Sequence, residues 1–167
     1  MRWRPRACLL ALLPLLALLP GCWGYHTLGD TPGRIRSAAV LPFQNRTLYT
    51  GLEFELQNAL VKELQAKSAL TVVGEAQADA VLRGLVLDFS RSVIKQDEGG
   101  RDVEFQITVT AGFTLQERHT GKVLVERGAV SVSGTYLLIK GESETTARAR
   151  ALSDLAKDIV SAILYGW

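Results

Sequence analysis

Residues Val103 to Leu115 leave this chain little freedom over what it can fold into. Val103, Phe105, Ile107, Val109, Ala111, Phe113 and Leu115 alternate with Glu104, Gln106, Thr108, Thr110, Gly112 and Thr114. A repeat of two places every apolar side chain on one side of an extended backbone and every polar one on the other. That is the pattern of an antiparallel strand with one face in a core and the other in water. At about 3.3 Å per residue the stretch runs for roughly 40 Å, longer than most strands. Such a strand needs neighbours along its edges and something apolar laid over one face.

The rest of the chain supplies both. Ile35 to Phe43 is expected to form a first strand, which ends or becomes an edge at Pro42, since proline cannot donate to a ladder. Gln44 to Thr47 follows as a loop, and Thr50 with Glu53 has the spacing of a capping box. Leu52, Leu56, Ala59, Leu60 and Leu64 then fall on one face of a helix over about 51–67. A short strand at Leu70–Val73 and a longer one at about Asp79–Ser92 come next, with Gly84 expected to mark a bulge. Gly99-Gly100 sits at a hairpin tip. After the alternating strand and a turn at His119-Thr120-Gly121, Lys122–Tyr136 is the last strand. Its apolar parity changes near Arg127-Gly128, which predicts a bulge. Leu152, Leu155, Ala156, Ile159, Ala162 and Ile163 form the stripe of a second helix over about 143–164. The order is β-α-β-β-β-β-α. It predicts an α+β fold, two helices packed on one face of a mixed, mostly antiparallel sheet. The first strand–helix–strand unit should be parallel and right-handed. The polar face of 103–115 is then left to water or to a partner.

The N-terminus has a different character. Arg2, Arg4 and Arg6 precede an apolar run from Ala7 to Pro20, which ends in Leu19-Pro20-Gly21-Cys22. A basic start, a short apolar run and a small residue before the cut are the parts of a secretory signal. Leu at −3, Gly at −1 and Cys at +1 resemble a bacterial lipobox, in which the cysteine receives a diacylglyceryl group; Pro20 departs from the usual small residue. Residues 1–21 are the expected lipoprotein signal peptide, 22–34 an acylated tether and 35–167 a single domain. A plain secretory signal with Cys22 unmodified is the alternative. A spanning helix is disfavoured, because the run is shorter than the roughly 20 residues a bilayer needs and contains prolines. Removing residues 1–21 takes three arginines and no acid from the 19 Lys plus Arg and 17 Asp plus Glu, leaving a mature charge near −1. That balance argues against nucleic acid as a partner. Cys8 leaves with the signal, so neither a disulfide nor a thiolate metal site is expected.

The mature chain offers no catalytic constellation. His26 lies in the tether and His119 at a turn, without a spacing that suits a metal. The serines lack a nucleophile-elbow context. Asp97, Glu98 and Asp102 crowd the hairpin tip but do not match a calcium loop. No enzyme activity, metal or cofactor is expected, apart from covalent acyl groups on Cys22. Antiparallel connectivity does bring loops 93–102 and 137–142 to one end of the sheet. Lys95, Arg101 and Lys140 meet there, and three cations on loops suit an anionic group. The competing view is of ordinary surface cations.

The same residues carry a family resemblance. Cys22-Trp23-Gly24-Tyr25-His26-Thr27-Leu28 is similar to the start of the LptE-type lipopolysaccharide-assembly lipoproteins, with Trp23 as an extra residue. Val40-Leu41-Pro42-Phe43-Gln44-Asn45-Arg46-Thr47, Gly51-Leu52-Glu53 and Ala78-Asp79-Ala80-Val81-Leu82-Arg83-Gly84 resemble later blocks of that family. The resemblance implies a non-enzymatic lipoprotein on the periplasmic face of the outer membrane. Its implied partners are an LptD-type β-barrel, whose lumen it plugs, and lipopolysaccharide, whose lipid A phosphates give Lys95, Arg101 and Lys140 a target. Trp23 after the cysteine, where an aspartate favours inner-membrane retention in enteric bacteria, fits the outer membrane. A strand ending in Leu-Pro-Phe before Asn and Thr also resembles oligomeric secretion-channel lipoproteins of the curli-export kind, which is the alternative.

Overall fold

The structure, a computed structural model, describes residues 35–166. The expected signal peptide, the tether with Cys22, and Trp167 lie outside the described residues. The elements run β1 (Ser37–Val40), β2 (Gln44–Asn45), α1 (Leu52–Lys67), β3 (Thr71–Val72), β4 (Ala80–Gln96), β5 (Asp102–Glu117), β6 (Val123–Leu137) and α2 (Glu144–Tyr165). Short 3-10 turns at Glu75–Gln77 and Leu138–Lys140 join the larger pieces.

One mixed sheet holds the strands in the order β3-β1-β4-β5-β6, with β2 added alongside β4. β1 is parallel to both β3 and β4, as the first strand–helix–strand unit requires. β4, β5 and β6 form the antiparallel part. The fold is therefore α+β with two helices, as the hydrophobic periods predict. In β5, Phe105, Ile107, Val109, Ala111, Phe113 and Leu115 are all buried. Leu52, Leu56, Leu60 and Leu64 of α1 and Leu152, Leu155, Ala156, Ile159 and Ile163 of α2 belong to the same core cluster. Each fully buried leucine or isoleucine contributes roughly 2 kcal/mol of transfer free energy. A smaller cluster of Ala39, Ala78 and Val81 packs separately, with Leu41 and Val73 against it.

Several local expectations are corrected. Gln44–Asn45 is a strand rather than a loop, pairing in parallel with Leu85 and Val86 of β4. The capping box does not form: Gly51, at φ 94°, is the N-cap of α1 and no side chain caps it. Glu53 instead accepts a hydrogen bond from the Asn45 amide at 2.9 Å. Gly84 is not a bulge. A Cβ there would stand 2.3 Å from the Phe43 ring and 2.5 Å from the Gly112 carbonyl, so the glycine admits Phe43 onto the sheet. The register of β4 shifts later, between Val86 and Asp88. The predicted β6 bulge is present: Ala111 pairs with Val130 but Phe113 pairs with Arg127. α2 starts at a Ser143 cap whose side chain accepts from the Thr146 amide.

Candidate functional site

β4 is 17 residues long and outruns the core. Its residues from Ser90 to Gln96 are exposed, and the hairpin it makes with β5 reaches past the helices. At the far end the ladder pairs Lys95 with Glu104, and Glu104 with Leu137. Two steps between neighbouring strands span about 10 Å. The Leu138–Lys140 turn continues directly from Leu137. Lys95, Arg101 and Lys140 are therefore gathered at one end, as the connectivity predicts, and all three are exposed. Lys95, however, is on a strand and not in the hairpin loop, because β4 continues to Gln96.

The three cations differ in how they are held. Asp97 closes the hairpin, accepting from the amides of Gly99 at 2.9 Å and Arg101 at 3.0 Å. It also accepts from Arg101 Nε at 2.9 Å. These donors, the Arg101 amide above all, hold its carboxyl below the usual range. Asp102 accepts from the Gln96 amide group at 2.8 Å. Two of the three tip carboxylates are thus turn-forming groups. Among the described residues, no group of three or more His, Cys, Asp or Glu side chains is placed to hold a metal. His119 sits at the opposite end, with the Arg118 guanidinium 2.8 Å from its Nε2. Lys95 and Lys140 have no ion-pair partner among the described residues.

Sequence reasoning missed the apolar half of this end. Val93, Ile94, Leu138 and Ile139 are exposed, Ile139 by 75%. The signal was present: Leu137-Leu138-Ile139 is apolar where a polar turn is usual. Beneath lies a firm pedestal. Phe105 and Tyr136 stack at 5.1 Å, Arg91 lies 5.0 Å over the Phe105 ring, and Arg91 pairs with Glu144 at 3.0 Å. Glu142 fixes the turn by accepting from the Leu137 amide at 2.8 Å. The end is thus amphiphilic: apolar side chains beside cations on a rigid support. The sheet face away from the helices continues from it. Thr108 bonds Ser133 at 2.8 Å and Thr110 bonds Ser131 at 2.9 Å, a ladder of exposed hydroxyls.

A second polar cluster serves the fold. Arg148, only 9% exposed, bridges α2 to Glu55 of α1 at 3.1 and 3.2 Å. Its guanidinium also lies over the Tyr49 ring and donates to the Tyr49 hydroxyl. Asn45 holds the same loop through Tyr49 O, Thr47 and Glu53. This explains the Asn-Arg-Thr stretch as loop construction, not ligand chemistry.

The sequence model of the LptE family, described as Lipopolysaccharide-assembly, matches residues 35–163. The chain belongs to the LptE family. The match spans every strand of the sheet and nearly all of α2. The fold is shared more widely. A PelC dodecamer from Paraburkholderia phytofirmans is 18% identical, with 83% of this chain and 94% of that one covered at a TM-score of 0.52. The protein CT253 from Chlamydia trachomatis is 14% identical over 76% and 94% of the two chains, with a TM-score of 0.55. Lipoprotein B from Nitrosomonas europaea is 13% identical over 81% and 89%, at 0.54. At these identities the likeness is one of fold alone. A search of curated proteins found no match. Membership in the LptE family makes this a lipoprotein-type component of lipopolysaccharide assembly. Among the described residues no helix is long and apolar enough to cross a membrane.

Proposed function

We propose that this LptE-family protein is a non-enzymatic lipoprotein that complexes with an LptD-type β-barrel and plugs its lumen. In this role it assists the passage of lipopolysaccharide to the cell surface. The observation that carries the reading is the sheet face that no helix covers among the described residues. Thr108, Thr110, Ser131 and Ser133 present hydroxyls, and the interior of a membrane barrel is polar. Lys95, Arg101 and Lys140 bind the phosphates of the lipid, and Leu138 and Ile139 meet its acyl chains. Acyl groups on Cys22 hold the protein at the periplasmic face of the outer membrane, where more than one chain is needed for stable anchoring.

Affinity purification from native outer membrane tests the central claim, and failure to recover a large β-barrel protein defeats it. Metabolic labelling with palmitate tests Cys22, with Cys22→Ala expected to abolish the label. A large ring on size exclusion of the unacylated domain favours the secretion-channel alternative.

A further inference from the structure

β6 ends the sheet in the order β3-β1-β4-β5-β6, so its side away from β5 meets no strand among the described residues. β4 beyond Val86 also has only β5 beside it, but that edge is guarded. It carries Asp88, Arg91 and Lys95, and its register shifts between Val86 and Asp88 and between Val93 and Lys95. Charges and bulges of that kind keep further strands from adding. The stretch of β6 from Val130 to Leu137 has no charged residue and no proline. Its register with β5 is unbroken from Ala111/Val130 to Glu104/Leu137.

The last residue of β6 shows which main-chain groups point out of the sheet. The Leu137 amide donates to the Glu142 carboxylate at 2.8 Å, and the Leu137 carbonyl accepts from the Glu142 amide at 3.4 Å. Both groups therefore face away from β5. In an antiparallel ladder that direction alternates residue by residue. Ser131, Ser133 and Thr135 thus also turn N–H and C=O outward, and among the described residues no hydrogen bond reaches these groups. On the helix side of the same edge, Val130 and Val132 are only half-buried. Gly134 lies between Val132 and Tyr136 on that side. A Cβ there would meet Ala147 and Ala151 of α2 at 3.9 Å, an ordinary contact, so the chain's own packing does not demand a glycine. Glycine inside a strand often marks the close approach of another chain.

We propose that β6 pairs antiparallel with β6 of a second copy, about a two-fold axis at Ser133. In that register Ser133 faces Ser133 of the second copy, and Ser131 faces its Thr135. These residues exchange about six main-chain hydrogen bonds, two for each opposed pair. The edge complements itself on both faces. On the polar face hydroxyl meets hydroxyl, continuing the Thr108–Ser133 and Thr110–Ser131 ladder. On the helix side the half-exposed Val132 lies opposite Gly134 of the second copy, whose missing side chain leaves it room. Charge agrees as well. Glu126 and Lys140 each lie seven residues from Ser133, on opposite sides, and neither has an ion-pair partner among the described residues. The two-fold axis brings the Glu126 end of one copy to the Lys140 end of the other. Lys140 cannot serve this pairing and a lipid phosphate at once, so the paired form is a state of the protein apart from lipid. It needs no barrel partner, and it stands or falls separately from the reading above.

The test is oxidation of cysteine variants of the full chain, processed in cells and purified in detergent, read by non-reducing electrophoresis. The parent, which carries Cys22, sets the background. Ser133 is exposed, and opposed residues about 5.5 Å apart suit a disulfide. Ser133→Cys should therefore yield a disulfide-linked dimer. Ser131→Cys should yield at least fivefold less, because two copies of residue 131 are then roughly 14 Å apart. Mixing differently tagged Ser131→Cys and Thr135→Cys chains should restore the link, between unlike tags only. Ser133→Pro removes an outward N–H that β5 does not use, and it should convert a dimer on sedimentation to a monomer with the parent's circular dichroism spectrum. Equal yields from Ser133→Cys and Ser131→Cys overturn the proposal. So does a parent that sediments as a monomer or as a larger ring, or a Ser133→Cys product linked to a different protein.

Discussion

The helix-covered body and the bare tip of the sheet use the same side-chain types for opposite ends. In the body, charged and amide groups are consumed by the fold. Arg148 is shared between Glu55 and Tyr49. Asp79 accepts from the amides of Arg36 and Ser37 at 2.9 and 3.0 Å and from the Ser37 hydroxyl. At the tip, Lys95 and Lys140 stand in water beside exposed isoleucine and leucine. The difference teaches where to look for function. A buried or multiply bonded polar group is structural because its valences are spent. An exposed cation beside uncovered apolar surface keeps its valences for something else.

That contrast can be broken at four places, in falling order of effect on stability. Gly84→Ala drives a Cβ into the Phe43 ring and the Gly112 carbonyl. The expected loss is about 3 kcal/mol, at the upper end of overpacking, measured by urea unfolding. Arg148→Ala leaves Glu55 and the Tyr49 hydroxyl unpaired. Because Glu55 is partly hydrated, the expected cost is about 2 kcal/mol, below that of a fully buried pair. A loss under about 0.5 kcal/mol, the range of ordinary surface changes, would place Arg148 with the surface cations instead.

Asp79→Asn should cost less than Arg148→Ala and should show a pH signature. The Arg36 amide and then the Ser37 hydroxyl hold the Asp79 carboxyl below its ordinary range. Its contribution is therefore present above the unfolded value near pH 4 and disappears as pH falls through the folded one. Parent and variant should differ by a constant amount from pH 7 to about 5, and the gap should narrow as pH falls below the unfolded value near 4. A gap that does not narrow at all as pH falls below about 4 would count against the carboxylate as the source. At the tip, Lys95→Glu with Lys140→Glu should change stability by less than about 0.5 kcal/mol. It should nevertheless weaken binding of lipopolysaccharide in vitro at least tenfold. Unchanged binding would return both lysines to the ordinary surface.

Much of this architecture is legible along the chain. The alternation of 103–115 and the leucine period of α1 each name their buried residues, because a repeat of two or of about 3.6 is a local property. The Arg127-Gly128 bulge is legible for the same reason, as a break in parity. Gly84 misleads because its cause is not local: Phe43 comes from 41 residues earlier in the chain. Thr50 and Glu53 have capping spacing, yet Asn45 takes Glu53 for the loop, a competition that spacing cannot weigh. Of the tip, connectivity foretells that Lys95, Arg101 and Lys140 converge. It does not foretell the apolar half, since exposure of Leu138 and Ile139 depends on where the helices stop.

By itself, then, the sequence determined the periods, the core faces, the α+β class and the meeting of three cations at one end. Those follow from backbone geometry and from the order of the elements. Only the tertiary structure decided which polar groups are spent and which remain open. Arg148 and Lys140 are both cations close to the start of α2. One projects from α2 toward a carboxylate of α1 and a phenol, and the other stands past the end of the sheet. What separates them is the set of neighbours brought in from distant parts of the chain, and with it the solvation of each charge.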